Sequence, residues 1–527
     1  MNILAIYAIA AGGFCIALFL IQTRSILINC TESFSVLLYR HLILPVVISR
    51  HRVCGPWTRA GVLVHISYIA INIALVFFRT DSLVDAGRRA GELALINTIF
   101  PLSGAHLSYI AELLGITWRT CCKIHRATGW MTVILLSFHV IAEAQSKNFS
   151  FSLVESRNLL TMIGAISIGV LALLSFPYFR GWSYEFFLRG HQLLSVTFVY
   201  GTWRHLSKHG GSAKLYIYIA VGILGLTTCL EFVMLLYRNG LFSGSGAPRA
   251  LVSFTVSESE TGRADVTAAQ IQLILPRPIQ VEPGQYINLW IPSVSIGSWM
   301  QTHPFTVTSW SRRRQDTLKL LVQPRHGFSG NLVRHGSLGV KTSISFLALF
   351  TGPHGITENT DHYETVLLVT SGFGIAASIP YLKKMIHGYN TCISHVRRLH
   401  LVWQIETIET VMAAEELLND LLDDDVIDKG YILSISIYVE HGLAKNKTLL
   451  GKHERLCYYQ GVPDYRSIVS TEASGSQIER LANIPDEPGR ALVMVSANNN
   501  VRDHIRQVVK GYLHQGVQFS ELEYQPD

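Results

Sequence analysis

The hydrophobic pattern changes character partway along the chain. Up to about residue 240, apolar residues come in long runs; from 249 onward they alternate with polar ones or form short blocks between turns. A membrane-spanning helix needs roughly 20 mostly apolar residues. Seven stretches approach that length: 3–22, 61–78, 91–112, 124–144, 159–179, 188–206 and 215–237. The third is interrupted by Asn97, Pro101 and His106. The first, ILAIYAIAAGGFCIALFLIQ, has no basic leader and no clear small-residue cleavage site, so it reads as a retained anchor rather than a signal peptide.

In the second half, ADVTAAQIQLIL, GQYINLWIP and LKLLVQP carry the period-two pattern of strands, with turn residues between them. Residues 249–355 are therefore expected to form a small antiparallel β-barrel. Residues 362–527 alternate strand and helix. TVLLVTSGFGIAASIPYLKKMI reads as a buried strand, a glycine turn and a helix, HLVWQIE as the next strand, and ALVMVSANNNVRDHIRQVVK as a last strand, polar turn and helix. In such α/β units the ligand belongs at the carboxyl ends of the strands. The expected divisions are 1–89 and 90–240 in the membrane, then 249–355 and 362–527 outside it.

Composition sharpens the membrane reading. The chain is 49% hydrophobic and 15% charged, against about 25% charged in ordinary soluble domains. The net charge of +7 comes from scattered basic residues without interleaved aromatics, which argues against nucleic acid as a partner. The eight cysteines include no CxxC pair, so neither a zinc site nor a disulfide framework is expected. Basic residues of short loops mark the cytosolic side. Loops 23–60, 113–123 and 180–187, together with Arg238, agree on one side, while Arg79, Arg88 and Arg89 in loop 79–90 dissent. The N-terminus is then expected outside and the C-terminal half in the cytosol. The sequon at Asn148 should be glycosylated outside, and those at Asn29 and Asn446 should be unused.

Within the apolar runs, HRATGWMTVILLSFH begins at His125 and ends at His139, and HQLLSVTFVYGTWRH begins at His191 and ends at His205. Fourteen helical residues rise about 21 Å and close to within about 40° of whole turns. Each pair thus shares a helix face, with one histidine near each side of a core about 30 Å thick. Both helices start on the same side, so His125 lies level with His191 and His139 with His205. Facing imidazoles at one depth can supply both axial ligands of a haem iron, and helix bundles hold cofactors this way. A single intramembrane histidine is more often polar glue or a pore-lining group, and His65 and His106 are read so. Gly129 and Gly201 would admit a flat macrocycle or simply let helices pack. Arg126 and Arg204 would pair haem propionates or anchor the interface.

Other motifs are weaker alone. HPFTVTS at 303–309 lies among the strands, and RHGFSGNL at 325–332 reads as a turn opening a helix, whose N–H groups suit a diphosphate. Pro304 as strand punctuation and these glycines as an ordinary turn are the plain alternatives. Gly372-Phe-Gly374 lacks the third glycine of the dinucleotide fingerprint, Ala377 standing in its place. The acidic run ELLNDLLDDDVID reads as a solvated helix face.

Taken in order over roughly 90–527, these parts resemble the fungal ferric reductases of the ferric reductase/NADPH oxidase flavocytochrome b superfamily. The resemblance implies a polytopic α-helical membrane domain with two b-type haems on His125, His139, His191 and His205. It implies an FAD-binding β-barrel and an α/β nucleotide-binding domain, ferredoxin reductase-like, behind it. His303, Pro304, Phe305 and Thr306 would lie against FAD, with Gly327, Phe328 and Ser329 at its phosphates. NADPH would take Gly352, Pro353 and Gly355 and the turn Gly372, Gly374 and Ile375, and Tyr524 would cover the flavin. Where the family usually has Cys-Gly-Pro beside the nicotinamide, this chain has Ser496-Ala497-Asn498, which places Ser496 in the catalytic position and implies slower hydride transfer. The implied activity is NADPH-dependent ferric-chelate reduction at the plasma membrane, with ferric or cupric chelates as acceptors, beside an iron permease and multicopper oxidase. A superoxide-generating oxidase, or a haem protein with a decayed nucleotide site, are the alternatives.

Overall fold

The computed structural model describes the chain except residues 1–2, 24–35, 52–54, 147–151, 153, 183, 208–211, 242–245, 259–263, 296, 326, 338–342, 427–430, 442–446, 451–454, 479–488 and 524–527. Asn29, Asn148, Asn446 and Tyr524 lie outside the described residues. The fold divides into two compact units, one formed by 1–32 and 41–231 and the other by 33–40 and 232–527.

The first unit is helical: α1 (Ile3–Thr23), α2 (Arg59–Phe77), α3 (Leu83–Leu102), α4 (Leu107–Leu114), α5 (Trp118–Ala144), α6 (Ser156–Leu174), α7 (Tyr184–His205) and most of α8 (Ser212–Arg238). Four helical stretches among the described residues are long and apolar enough to cross a membrane, at 59–77, 83–114, 118–144 and 213–238. The expected span 91–112 is not one straight helix. α3 starts at Leu83, where the Ser82 hydroxyl accepts from the Asp85 N–H (3.1 Å). It gives way to a 3-10 turn, Ser103–His106, just after Pro101; proline interrupts the helical hydrogen-bond ladder and crowds the preceding turn. Arg88 and Arg89 are thus helical residues with partners, correcting their assignment to a loop. Arg88 pairs with Glu143 at 3.3 Å, and Arg89 donates to the Phe78 carbonyl. Asn97 does not interrupt the helix. Its amide donates to Asn72 Oδ1 and to the Leu93 carbonyl, both at 2.9 Å, and the Tyr68 hydroxyl donates to its oxygen. Buried polar groups in an apolar bundle need such partners.

Two helix pairs pack closely, α3 along α5 and α6 along α7. The second contact uses glycine: a Cβ on Gly201 would stand 2.7 Å from the Leu160 carbonyl oxygen and 2.9 Å from the Gly164 Cα. Gly201 therefore serves helix packing, as small residues do in membranes, whereas Gly129 has nothing within 4 Å of an added Cβ.

The second unit holds three sheets. β1 (Arg249–Glu258), β2 (Ala264–Ile279), β5 (Gln315–Val322) and β6 (Ser343–Leu347) form an antiparallel sheet in the order β5-β2-β1-β6, while β3 (Tyr286–Trp290), β4 (His303–Thr306) and β7 (Leu349–His354) form another in the order β4-β3-β7. Their inward faces share one core, including Ala250, Ile271, Leu289, Phe305, Leu320 and Phe350. The helix α9 (Phe328–Ser337) packs on it through Phe328 and Leu332.

The third sheet contains β8 (Thr365–Ser371), β9 (Arg398–Ile405), β10 (Leu433–Val439), β11 (Lys447–Leu450), β12 (Leu456–Gln460), β13 (Ala491–Ser496) and β14 (Val517–Glu521), in the order β11-β12-β10-β9-β8-β13-β14. All neighbours are parallel except β11 and β12. Helices α10 (Ile375–Asn390), α11 (Glu415–Asp424), α12 (Tyr465–Ser474) and α13 (Asn499–Lys510) cover it. Because both faces are covered, β8 and β13 are buried along almost their whole length. The acidic run proves amphipathic rather than wholly solvated, since Leu417, Leu418 and Leu421 of α11 are buried.

Candidate functional site

The helical histidines pair as their spacing requires. The ring centroids of His125 and His191 are 6.0 Å apart, and those of His139 and His205 are 6.4 Å apart. Two metal–nitrogen bonds of about 2 Å, with roughly 1.1 Å from each nitrogen to its ring centre, would put facing imidazole centroids about 6 Å apart. Both pairs meet that test. Among the described residues no group of three or more His, Cys, Asp or Glu could hold a bare metal ion. A two-histidine donor set suits a macrocycle that brings the remaining ligands itself.

Nitrogen bookkeeping supports the same use. His139 Nδ1 lies 2.9 Å from the Gly87 carbonyl oxygen. A carbonyl only accepts, so Nδ1 carries the proton and Nε2 keeps its lone pair for a metal. Nδ1 of His125 and of His191 are buried without a hydrogen-bond partner. Sequence reasoning missed the surroundings of these rings: a Cβ on Gly91 would meet the His139 ring at 3.0 Å, and one on Gly104 would meet His125 Nδ1 at 2.7 Å. Of the two flanking arginines, Arg126 donates to the Cys122 carbonyl at 3.3 Å, and Arg204 has a buried Nε without a partner. His106, read as polar glue, does bind helices together: it pairs with Glu231 at 2.6 Å and meets the Thr228 hydroxyl at 3.0 Å.

In the second unit, β3 brings two motifs side by side. On one edge Tyr286 pairs with Thr306 and Leu289 with His303; on the other Tyr286 pairs with His354. β4 is the edge strand, which tolerates Pro304 because one side of it donates to no neighbour. The His303 ring stacks on Phe328 at 4.4 Å and 20°, which joins the HPFT strand to the start of α9. There Gly327 has φ +86°, the Ser329 hydroxyl accepts from Arg325 N–H at 2.9 Å, and a Cβ on Gly330 would stand 2.4 Å from the Arg325 carbonyl oxygen. The tight turn leads into a helix N-terminus, whose unpaired N–H groups suit a phosphate. Gly352 and Gly355, at φ +104° and +109°, press against the Tyr286 and Gly284 carbonyl oxygens. Gly352, Pro353 and His354 thus end β7 within the HPFT sheet, with Gly355 just beyond it.

Gly372, Gly374 and Ile375 sit elsewhere, at the carboxyl end of β8. Gly372–Gly374 form a 3-10 turn, and Ile375 starts α10. Strand order reverses between β8 and β13, the point at which parallel sheets open a ligand crevice. Ser496 ends β13 there, 1% exposed, with its hydroxyl buried and unpartnered. A Cβ on Gly374 would stand 2.0 Å from the Ser496 carbonyl oxygen and 3.0 Å from its Oγ. Ser496 therefore packs behind the glycine turn rather than facing the open crevice. Asn498 ties the two strand ends together. Its N–H donates to the Ser371 hydroxyl at 2.7 Å, and its Oδ1 accepts from Val501 N–H at 3.0 Å, capping α13. Trp403 on β9 braces the turn by donating to the Gly372 carbonyl at 2.8 Å. Neither contact is marked in the sequence.

The helical bundle and the flavin-type sheets define a class, transmembrane flavoproteins. Comparison with known proteins agrees. Residues 90–202 match the family model of the ferric reductase like transmembrane component, and residues 264–371 match an FAD-binding domain. The first match contains His125, His139 and His191; the second contains HPFT and the turn at 327–329. Over these two regions the chain is similar to ferric reductase transmembrane components and to FAD-binding domains. It is 26% identical over 347 residues to "Probable cell surface ferric reductase kap2" of Aspergillus oryzae, covering 61% of this chain and 44% of that protein. It is 24% identical over 423 residues to "Ferric reductase transmembrane component 5" of Saccharomyces cerevisiae, covering 75% and 58%. A third relative, "Ferric/cupric reductase transmembrane component 2" of Saccharomyces cerevisiae, is 25% identical over 303 residues, covering 56% and 40%. The chain spans about half the length of the curated relatives it matches.

Proposed function

We propose that the chain is a transmembrane metalloreductase that passes electrons from cytosolic NADPH, by way of FAD and two b-type haems, to a ferric or cupric chelate outside. The observation that carries this reading is the double histidine pairing at 6.0 and 6.4 Å on helices α5 and α7. His125 and His191 would hold the inner haem, and His139 and His205 the outer. The cofactors supply the redox chemistry, a hydride acceptor and one-electron carriers, and the protein sets ligands, positions and side of access.

In this reading His303, Pro304, Phe305 and Thr306 line the flavin, and Gly327, Phe328 and Ser329 offer backbone N–H groups to its phosphates. Gly372, Gly374 and Ile375 receive NADPH at the switch point, and Gly352, Pro353 and Gly355 at the end of β7 take another part of it. Ser496 is a positioning residue, since it touches the glycine turn and is sealed behind it. The protein sits in the plasma membrane with its C-terminal half in the cytosol, and the Fe(II) it releases feeds an uptake system of multicopper oxidase and permease.

Dithionite-reduced membranes should show a low-spin b-type spectrum. His125→Leu or His191→Leu should remove one haem, and His139→Leu or His205→Leu the other. Variants that keep both haems overturn the ligand assignment. Oxygen uptake measured beside ferric-chelate reduction in the same membranes separates a metalloreductase from a superoxide-generating oxidase.

A further inference from the structure

The tightly crowded glycines of the bundle, Gly87, Gly91, Gly104, Gly164 and Gly201, fall into two kinds by what an added side chain would meet. At Gly164 and Gly201 it would meet backbone, and at Gly87 it would meet the Ala142 Cβ at 2.5 Å; these are helix-packing contacts. Gly91 and Gly104 differ. At Gly91 the three nearest atoms all belong to the His139 imidazole, at 3.0, 3.2 and 3.3 Å. At Gly104 the two nearest are Nδ1 and Cε1 of His125, at 2.7 and 3.0 Å. Between these two levels the Thr98 and Thr132 hydroxyls meet at 3.3 Å. The antiparallel packing of α3 on α5 therefore sets a glycine under each histidine of α5, one at each depth. Gly87 adds a backbone contact, since its carbonyl accepts from His139 Nδ1.

We propose that Gly91 and Gly104 are positioning residues for the haem ligands. Each missing side chain makes the space in which one imidazole stands, Gly91 for His139 and Gly104 for His125, and the Gly87 carbonyl fixes the His139 tautomer. The inference rests on the bis-histidine reading above. A Cβ closer than about 3 Å to a ring forces the ring to turn or retreat, which strains the metal–nitrogen bond it would make. Supporting groups behind metal ligands typically change metal affinity by about 10- to 100-fold.

The test uses the full chain, purified in detergent, in two single-haem backgrounds. In His139→Leu the haem left is the one on His125 and His191; in His125→Leu it is the one on His139 and His205. Gly104→Ala should weaken haem retention by about 10- to 100-fold and shift the low-spin EPR signal in the first background, and leave the second unchanged. Gly91→Ala should do the reverse with a smaller shift, because its overlap is smaller. Gly225→Ala, with nothing within 4 Å, should change neither. An equal effect in both backgrounds, or none in either, in protein that is monodisperse and retains FAD, overturns the positioning role. Histidine variants that lose no haem at all overturn the bis-histidine reading instead. Should Gly104→Ala fail to accumulate, Gly91→Ala compared across the two backgrounds decides alone.

Discussion

Gly374→Ala probes the contact on which the nucleotide turn depends. The new Cβ would stand 2.0 Å from the Ser496 carbonyl oxygen, about 1.4 Å inside the 3.4 Å at which ordinary contact begins. The obstacle is backbone, at the end of a strand whose Thr370–Ser496 register and Leu522-to-Val495 hydrogen bond hold it on both sides. The turn must therefore move, by about 1 Å. Overpacking of this kind costs about 1–3 kcal/mol of stability. A misplacement of about 1 Å at a reacting centre costs roughly a hundredfold in rate. We expect flavin reduction by NADPH to slow about a hundredfold in stopped flow, while haem reduction from chemically reduced flavin keeps its rate. Gly372→Ala is the contrast: its φ of +49° strains alanine, but nothing lies within 4 Å, so the turn stays in place and the loss is smaller. A folded Gly374→Ala protein that bleaches flavin at the parent rate would refute both the crowding argument and the siting of NADPH at this turn.

Ser496→Cys should slow flavin reduction by NADPH, because the larger sulfur crowds the Gly374 turn behind which Ser496 is sealed; an unchanged rate would mean that the position does not act through that turn. Thr306→Val should weaken FAD retention by about 1–3 kcal/mol, because the hydroxyl bond proposed to the cofactor could no longer form; unchanged flavin content after dialysis would remove Thr306 from the site. Away from the site, Glu472 on α12 is 4% exposed and accepts from Arg398 Nη2 (2.9 Å) and His400 Nδ1 (2.7 Å). Burial alone would raise its pKa, but the hydrogen bonds from His400 and Arg398 and their charges bring it down to about 2. Its folded value lies below the unfolded one, so this stabilisation is complete above about pH 4.5 and fades as the pH falls toward 2. Glu472→Gln should cost about 3–5 kcal/mol at neutral pH and flatten the acid limb of stability measured by hydrogen exchange in the peptides around β9; an unchanged limb would rule Glu472 out as its source.

Local patterns carried much of this reading because they follow from helix and strand geometry alone. A fourteen-residue spacing on a helix dictates that His125 and His139 share a face, and apolar length dictates a bilayer. Period-two alternation marked the strands around HPFT. The sequence also located the departure at Ser496 without saying which way its side chain points. What it could not determine was which segments lie against one another. Whether Gly201 faces a macrocycle or Gly164 depends on the rotation of α6 against α7, and no local periodicity encodes that. Gly91 and Gly104 are separated in sequence from the histidines they support, and only the register of α3 on α5 joins them. Arg88 and Arg89 read as loop residues because charge ends an apolar run, yet the Ser82 cap and the Glu143 and Phe78 partners hold them in a helix. Ser496 is placed by the sequence only as the residue ending the last strand before the polar turn, and tertiary packing sets its carbonyl against Gly374, where an added Cβ would stand 2.0 Å away, because two parallel strand ends meet at the glycine turn.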